Sequence, residues 1–197
     1  MVEPKPPEYT DASITLLTID ESVRKRPAMY FGVGRDSPIL ADQVVRAVVS
    51  SLGWDSESEP VDTRLVVEGD LRFTVSAEAV GPEVDKDGVV RISDGEAVWF
   101  RWPVMAAASV SVRTRLEFRV DGRLWSQELR GIKAQAPPAE LGPAPGRGLV
   151  ATFELDAGFF APGVTITRSL DRLRCYEDGA LFAQGPDSLT ITDLRDS

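Results

Sequence analysis

At 197 residues, with 43% apolar and 27% charged side chains, the chain is long enough to bury one sizeable core and has the balance of a folded globular protein, which excludes extensive disorder. Its formal charge is −9, from 31 acidic and 22 basic residues, so its overall field repels a phosphate backbone and argues against nucleic-acid binding by the chain itself. It has no histidine and a single cysteine, Cys175, which removes Ser-His and Cys-His nucleophile pairs, an intramolecular disulfide and the usual zinc sites.

Residues 1–12 are rich in proline and charge and read as an extended arm, with residues 13–197 as a single domain. No apolar run approaches the ~20 residues that cross a bilayer, and the first ten residues lack a secretory core, so the expectation is a cytoplasmic protein without membrane contact. From Ser13 to Phe31 a short helical signal runs through Leu16, Ile19 and Val23 and stops at Pro27. A clearer helix is expected from Pro38 to Leu52: Ser37 is positioned to cap it, Leu40, Val44 and Val48 make one stripe, and Gly53 closes it.

Arg64–Glu68 and Arg72–Ala77, separated by Gly69 and Asp70, read as a hairpin. A longer strand follows, with Val110, Val112, Leu116, Phe118 and Val120 on an apolar face. Asp121 and Gly122 supply a turn that accepts positive φ, and Arg123–Arg130 returns as the partner strand. The proline- and glycine-rich stretch Ala136–Gly148 reads as a surface loop, Leu149–Leu155 as a strand, Thr167–Phe182 as a helix and Ser188–Leu194 as a last short strand. Cys175, beside Arg174 in that helix, reads as packing. Hairpins interspersed with helices give an α+β fold, a largely antiparallel sheet with helices on one face.

The run Val23-Arg24-Lys25-Arg26-Pro27-Ala28-Met29-Tyr30-Phe31-Gly32 closely resembles the signature at the start of the ATPase domain of the DNA gyrase B protein and its topoisomerase IV relative, members of the GHKL superfamily. Tyr9, Ser13 and Ile14 match the spacing of that family's N-terminal arm, and the downstream order of elements agrees. The resemblance implies a GHKL (Bergerat) two-layer α/β sandwich with a mixed, largely antiparallel sheet, and an arm that reaches to a second protomer.

The family's chemistry does not carry over position by position. Its catalytic glutamate and the metal-holding asparagine four residues later fall on Ala47 and Ser51; alanine cannot activate water and serine is too short for the reach to magnesium. The adenine-binding aspartate and its glycine-rich turn correspond to Ser76, Ala77, Glu78 and Gly81, where only one glycine and Pro82 survive. The phosphate-cradling glycine loop corresponds to Trp99–Met105, including Trp102 and Met105, which has no glycine and loses a donor at Pro103.

The resemblance together with these losses implies a catalytically inactive pseudo-ATPase: no cofactor, no ATP, no magnesium, and action through a homodimer or another gyrase-like or regulatory protein. The alternative is a cleft repurposed for a non-nucleotide small molecule. The basic run Arg24, Lys25 and Arg26 reads either as a contact surface or as a structural anchor, with Tyr30 in the same signature. Tyr9 and Ile14 read either as a docking arm or as a frayed terminus. Trp99, Phe100 and Trp102 either plug the old cleft or line a new pocket. Glu57, Glu59, Asp62, Asp85 and Asp87 lack metal-ligand spacing and read as a solvated surface.

Overall fold

Thr18 and Glu21 cap the first helix reciprocally. The Thr18 hydroxyl accepts from the Glu21 N–H at 3.2 Å while the Glu21 carboxylate accepts from the Thr18 N–H at 2.8 Å, an arrangement that the Thr-x-x-Glu spacing encodes. In this computed structural model, which describes residues 17–54, 60–78, 80–82, 100–174 and 189–195, that cap starts α1, Ile19–Lys25. Pro27 does not end the helical region as the sequence reading expects. It stands at the first position of a second helix, α2, Pro27–Phe31, where its missing N–H has no helical partner to lose; Gly32, at φ 75°, terminates the helix.

The next helix, α3, spans Leu40–Leu52 rather than beginning at Pro38. Ser37 is not its cap: Ile39 holds that position, with no side-chain hydrogen bond, and Ser37 and Pro38 belong to the preceding turn, in which the Ser37 carbonyl accepts from Leu40 N–H at 3.2 Å. Gly53 closes the helix as expected, its N–H donating to Val49 at 2.9 Å.

Strands β1, Thr63–Gly69, and β2, Arg72–Glu78, form the expected hairpin. The segment before the long strand is a helix, α4, Trp102–Ser109, where the resemblance implies a loop. Then come β3, Ser111–Val120, β4, Arg123–Arg130, β5, Lys133–Ala134, β6, Ala139–Pro143, β7, Gly148–Leu155, the short α5, Leu170–Arg174, and β8, Leu189–Asp193. The β3–β4 turn has Asp121 at φ 52° and Gly122 at φ 74°, both left-handed as the Asp-Gly pair requires. The proline-rich stretch read as a surface loop contains β6, which pairs with β4, so the loop assignment is corrected. Of the helix expected over Thr167–Phe182, Thr167–Ser169 are not helical and α5 begins at Leu170; Cys175–Phe182 lie outside the described residues.

One eight-stranded sheet results, in the order β5-β4-β3-β7-β2-β1-β8, with β6 also beside β4. All named pairs are antiparallel except β1 with β8. The α+β two-layer arrangement expected from the resemblance is therefore observed: α3 and α4 lie on one face, against β1, β2, β3, β4 and β7. The core between the layers contains Leu65, Phe73, Leu116, Leu129, Ala151 and Phe153 from the sheet. Val112, which simple alternation assigns to the apolar face, is 46% exposed. A register shift between Ser111 and Arg113 resets the pleat, so that Ser111 is buried in place of Val112 and the expected alternation resumes at Thr114.

The opposite face carries ion pairs, including a charged row along β3, Arg113, Arg115, Glu117 and Arg119. Arg72 pairs with Glu68 at 2.6 Å, Arg119 with Glu78 at 2.7 Å, Arg113 with Glu128 at 2.6 Å and Arg115 with Glu117 at 2.6 Å. On β1, β2 and β7 the small or β-branched Val66, Thr74, Ser76, Val150 and Thr152 also face this side, and the Thr74 and Thr152 hydroxyls are 2.9 Å apart.

The C-terminal strand is tied back by a buried polar clamp. Arg195 donates to both Asp193 carboxylate oxygens and to the Ile166 and Thr167 carbonyls, and the buried Asp42 on α3 accepts from Thr167 N–H at 2.7 Å. Burial pushes the Asp42 carboxyl up, against the Thr167 hydrogen bond and the Arg46, Arg172 and Arg195 charges. The Arg195 hydrogen bonds dominate at Asp193 and pull its carboxyl from 3.8 to about 2. A depressed folded-state value means that this contribution to stability is full above 3.8 and is lost as pH falls through about 2. In urea unfolding between pH 6 and 2, the parent chain is therefore expected to lose more stability below pH ~4 than Asp193→Asn, which has no carboxyl to titrate there; equal losses would contradict the clamp.

Candidate functional site

Helix α4 forms within a segment that has no amphipathic period, Phe100-Arg101-Trp102-Pro103-Val104-Met105-Ala106-Ala107-Ala108. Pro103 in its first turn is pre-set for helical φ, and the alanines are the strongest helix formers. From Val104 to Ser109 every residue is buried, because α4 lies on the sheet beneath α1 and beside α3. Of the region that the resemblance assigns to a phosphate cradle, Trp102–Met105 form the first turn of this helix.

Ala47 on α3 and Met105 on α4 are each 0% exposed, so no space for a water molecule opens against either side chain. Phe100 is also buried and meets Phe118 edge-on, with ring centroids 5.4 Å apart. Arg101 lies across the end of α3 and donates to the Ser51 carbonyl at 2.5 Å. Nothing in the sequence singles out Arg101, since an arginine next to a missing glycine loop carries no motif; its contact with a helix carbonyl arises only from the tertiary fold.

The structure separates the other residues expected in the old cleft. Ala77 is buried on the helix-facing side of β2, whereas Ser76 and Glu78 point to the opposite face of the sheet. Glu78 is exposed and ion-paired with Arg119, so it does not stand in for an adenine-binding aspartate facing Ala47. Gly81 lies beside the Arg147 guanidinium, where a Cβ would come within 3.3 Å. Trp102 neither plugs the α3–α4 seam nor lines a cavity there: it is 41% exposed, with its ring tilted against Tyr30 at 5.5 Å. Trp99 lies outside the described residues, as do Tyr9 and Ile14. Of the carboxylates read as a solvated surface, Asp62 alone is described and is exposed.

Within the basic run the two readings divide by residue. Arg24 is an anchor: its Nε donates to the Ser109 carbonyl at 2.8 Å, its Nη2 pairs with Asp156 at 2.8 Å, and its guanidinium stands 5.3 Å from the centre of the Phe159 ring. It fastens α1 to the end of α4 and to the turn after β7. Asp20 adds a second tie by accepting from Ile132 N–H at 3.2 Å. Lys25 and Arg26 are exposed, and Tyr30 bonds Ser22 through its hydroxyl at 2.7 Å. Arg24→Ala is expected to cost about 1–3 kcal/mol in urea unfolding, through a lost charge-assisted hydrogen bond and ring contact. Lys25→Ala is expected to stay within about 0.5 kcal/mol.

Among the described residues no group of three or more Cys, Asp or Glu side chains converges in a way that could hold a metal ion, and no helix is long and apolar enough to cross a membrane. The chain matches no protein-family model. It is similar to a novobiocin-resistant DNA gyrase B protein of Streptomyces niveus, with 27% identity over 216 residues. That alignment covers 96% of this chain and 30% of the relative, so the chain spans less than a third of the relative's length.

Proposed function

We propose that this chain is a gyrase-B-like pseudo-ATPase: it neither binds nor hydrolyses ATP and acts through protein contacts, as a homodimer or with another gyrase-like or regulatory protein. The observation that carries the reading is the complete burial of Ala47 on α3, a helix packed against α4. Where the resemblance calls for a carboxylate facing a nucleotide, Ala47 is fully buried beside a core helix, and Arg101 covers the Ser51 carbonyl. Water activation needs a base within hydrogen-bond reach of a bound water, and a methyl group in a dry core provides neither base nor water. The absence of histidine from the chain removes a second source of proton transfer.

Similarity to a gyrase B protein over nearly the whole of this chain supports descent from that ATPase domain, and the exposed Lys25, Arg26, Met29 and Trp102 leave the signature region with surface for a partner. The competing reading, a cleft turned over to a non-nucleotide small molecule, needs open space beside Ala47 and finds none at that side chain. The test is affinity capture from the native cell extract, combined with a phosphate-release assay on the purified chain. A stoichiometric protein partner or self-association with no phosphate release supports the reading; magnesium-dependent ATP turnover abolished by a seam variant such as Ser51→Trp overturns it.

A further inference from the structure

Helix α1 begins against one end of the sheet. The Asp20 carboxylate accepts from Ile132 N–H at 3.2 Å and lies so close to Gly131 that a Cβ there would come within 2.6 Å of it. Gly131 is also one wall of a surface groove of about 570 Å³, whose other walls are Ser111, Val112, Arg113, Glu128 and Arg130. Leu17, the first described residue, stands three positions before Asp20, so the segment that precedes it leaves from beside this groove.

The groove is basic in an acidic chain. Arg113 and Arg130 line it with one carboxylate, Glu128, and the strand register sets Lys133 beside Arg130, Arg115 beside Glu128 and Glu154 beside Arg113. Four cations therefore stand against two anions, where the whole chain carries −9. Glu128 shows what this place accepts: the hydrogen bond from Arg113, aided by the Arg113, Arg130 and Arg115 charges, holds its carboxyl below the usual range against desolvation. Arg130 is exposed and makes no ion pair among the described residues. Val112 adds an apolar side chain to the wall, 46% exposed.

We propose that residues 8–14 of the same chain dock in this groove, with the Glu8 and Asp11 carboxylates on Arg113 and Arg130 and the Ile14 side chain on Val112. The stretch Glu8-Tyr9-Thr10-Asp11-Ala12-Ser13-Ile14 has two acids and no base, which complements the groove in charge. Reach is sufficient: at ~3.3 Å per residue, Ile14 extends to about 10 Å from Leu17 and Glu8 to about 30 Å, whereas neighbouring strands are only ~4.8 Å apart. The tether also decides between partners. A short linker holds the segment at an effective concentration in the millimolar range, so even a contact with an intrinsic Kd of about 1 mM is half occupied. A second copy has no such advantage and approaches against the repulsion of two chains of charge −9. The resemblance sends the arm to a second protomer; the place where this chain's segment leaves and the charge of the groove beside it point to its own body.

This contact does not depend on the loss of nucleotide chemistry. Lys133, beside Arg130, gives a direct probe, because a carbodiimide joins a carboxylate to a lysine amine only where the two touch. In an equal mixture of isotope-labelled and unlabelled whole chain, mass spectrometry is expected to find Lys133 joined to Glu8 or Asp11 within one chain. Chymotryptic cleavage after Tyr9 is the second readout. Arg130→Glu, which leaves the Arg113–Glu128 pair intact, is expected to speed that cleavage about threefold, and Arg113→Glu with Arg130→Glu about fivefold, the scale of solvated ion pairs. Adding Glu8→Arg and Asp11→Arg to the double variant is expected to restore the protection. Circular dichroism and the urea midpoint check that each variant folds. Links between labelled and unlabelled chains, no link to Lys133, cleavage indifferent to Arg130→Glu, or no recovery in the charge-reversed variant would each overturn the proposal.

Discussion

Ala47→Glu is expected to destabilise the chain by at least about 3 kcal/mol and to confer no ATPase activity. The substitution returns the carboxylate that the gyrase-B resemblance calls for, but Ala47 has no exposed surface and its helix is buried on nearly every side. Glutamate extends the side chain by a methylene and a carboxyl group into a close-packed seam, which strains neighbouring rotamers by about 1–3 kcal/mol. Its charge would lie in the core with no counter-charge assigned to it, which costs several kcal/mol more or forces the proton to stay on. Ala47→Gln separates the two costs, since it has nearly the same volume without the charge. Urea unfolding measures the loss and phosphate release measures activity. A stable variant with new turnover would mean that the site is a dormant catalytic centre.

Phe153→Ala is expected to cost about 3–5 kcal/mol. Phe153 stands on β7, between β2 and β3, directly opposite Phe73 on one side and Thr114 on the other. Its ring stacks on Phe73 with centroids 4.9 Å apart and planes 19° from parallel, and both residues are fully buried beneath the helices. Truncation removes the transfer energy of a phenyl ring, breaks the stack and leaves a cavity in the middle of the sheet, where three strands fix the backbone and limit collapse. Val150, on the same strand but 37% exposed on the open face, is the control: Val150→Ala is expected to cost less than about 1 kcal/mol. Similar losses at the two positions would mean that the helical layer is not packed as described.

The parts of the fold that are legible in the sequence are those where one local rule acts alone. The β3–β4 hairpin follows from strict alternation broken by Asp121-Gly122, and α3 follows from an apolar stripe closed by Gly53. Sequence and structure part where a tertiary partner overrides the local pattern. Helix α4 is buried at every residue from Val104 to Ser109, so it has no amphipathic period to read; Pro103 followed by Ala106–Ala108 is the available signal, and the family resemblance points to absent glycines instead. β6 contains proline and glycine and is held as a strand by pairing with β4. Val112 is misassigned because a bulge shifts the phase by one residue, a displacement that alternation cannot reveal.

The site divides in the same way. That Ala47 and Ser51 lack the carboxylate and the amide that the resemblance calls for follows from their side chains alone. That Ser76 and Glu78 face away from them follows only from the pleat of β2, and the anchoring role of Arg24 needs Ser109, Asp156 and Phe159, each more than 80 residues away in the chain. Side-chain chemistry is therefore legible in the sequence, whereas burial and orientation at these positions are not.

Isothermal titration of the purified chain with magnesium-ATP tests the proposed loss of nucleotide chemistry most directly. The complete burial of Ala47 predicts no binding heat above dilution at ATP concentrations up to the millimolar range, and the same result for Ala47→Gly. A saturable, magnesium-dependent heat with one nucleotide per chain would contradict it.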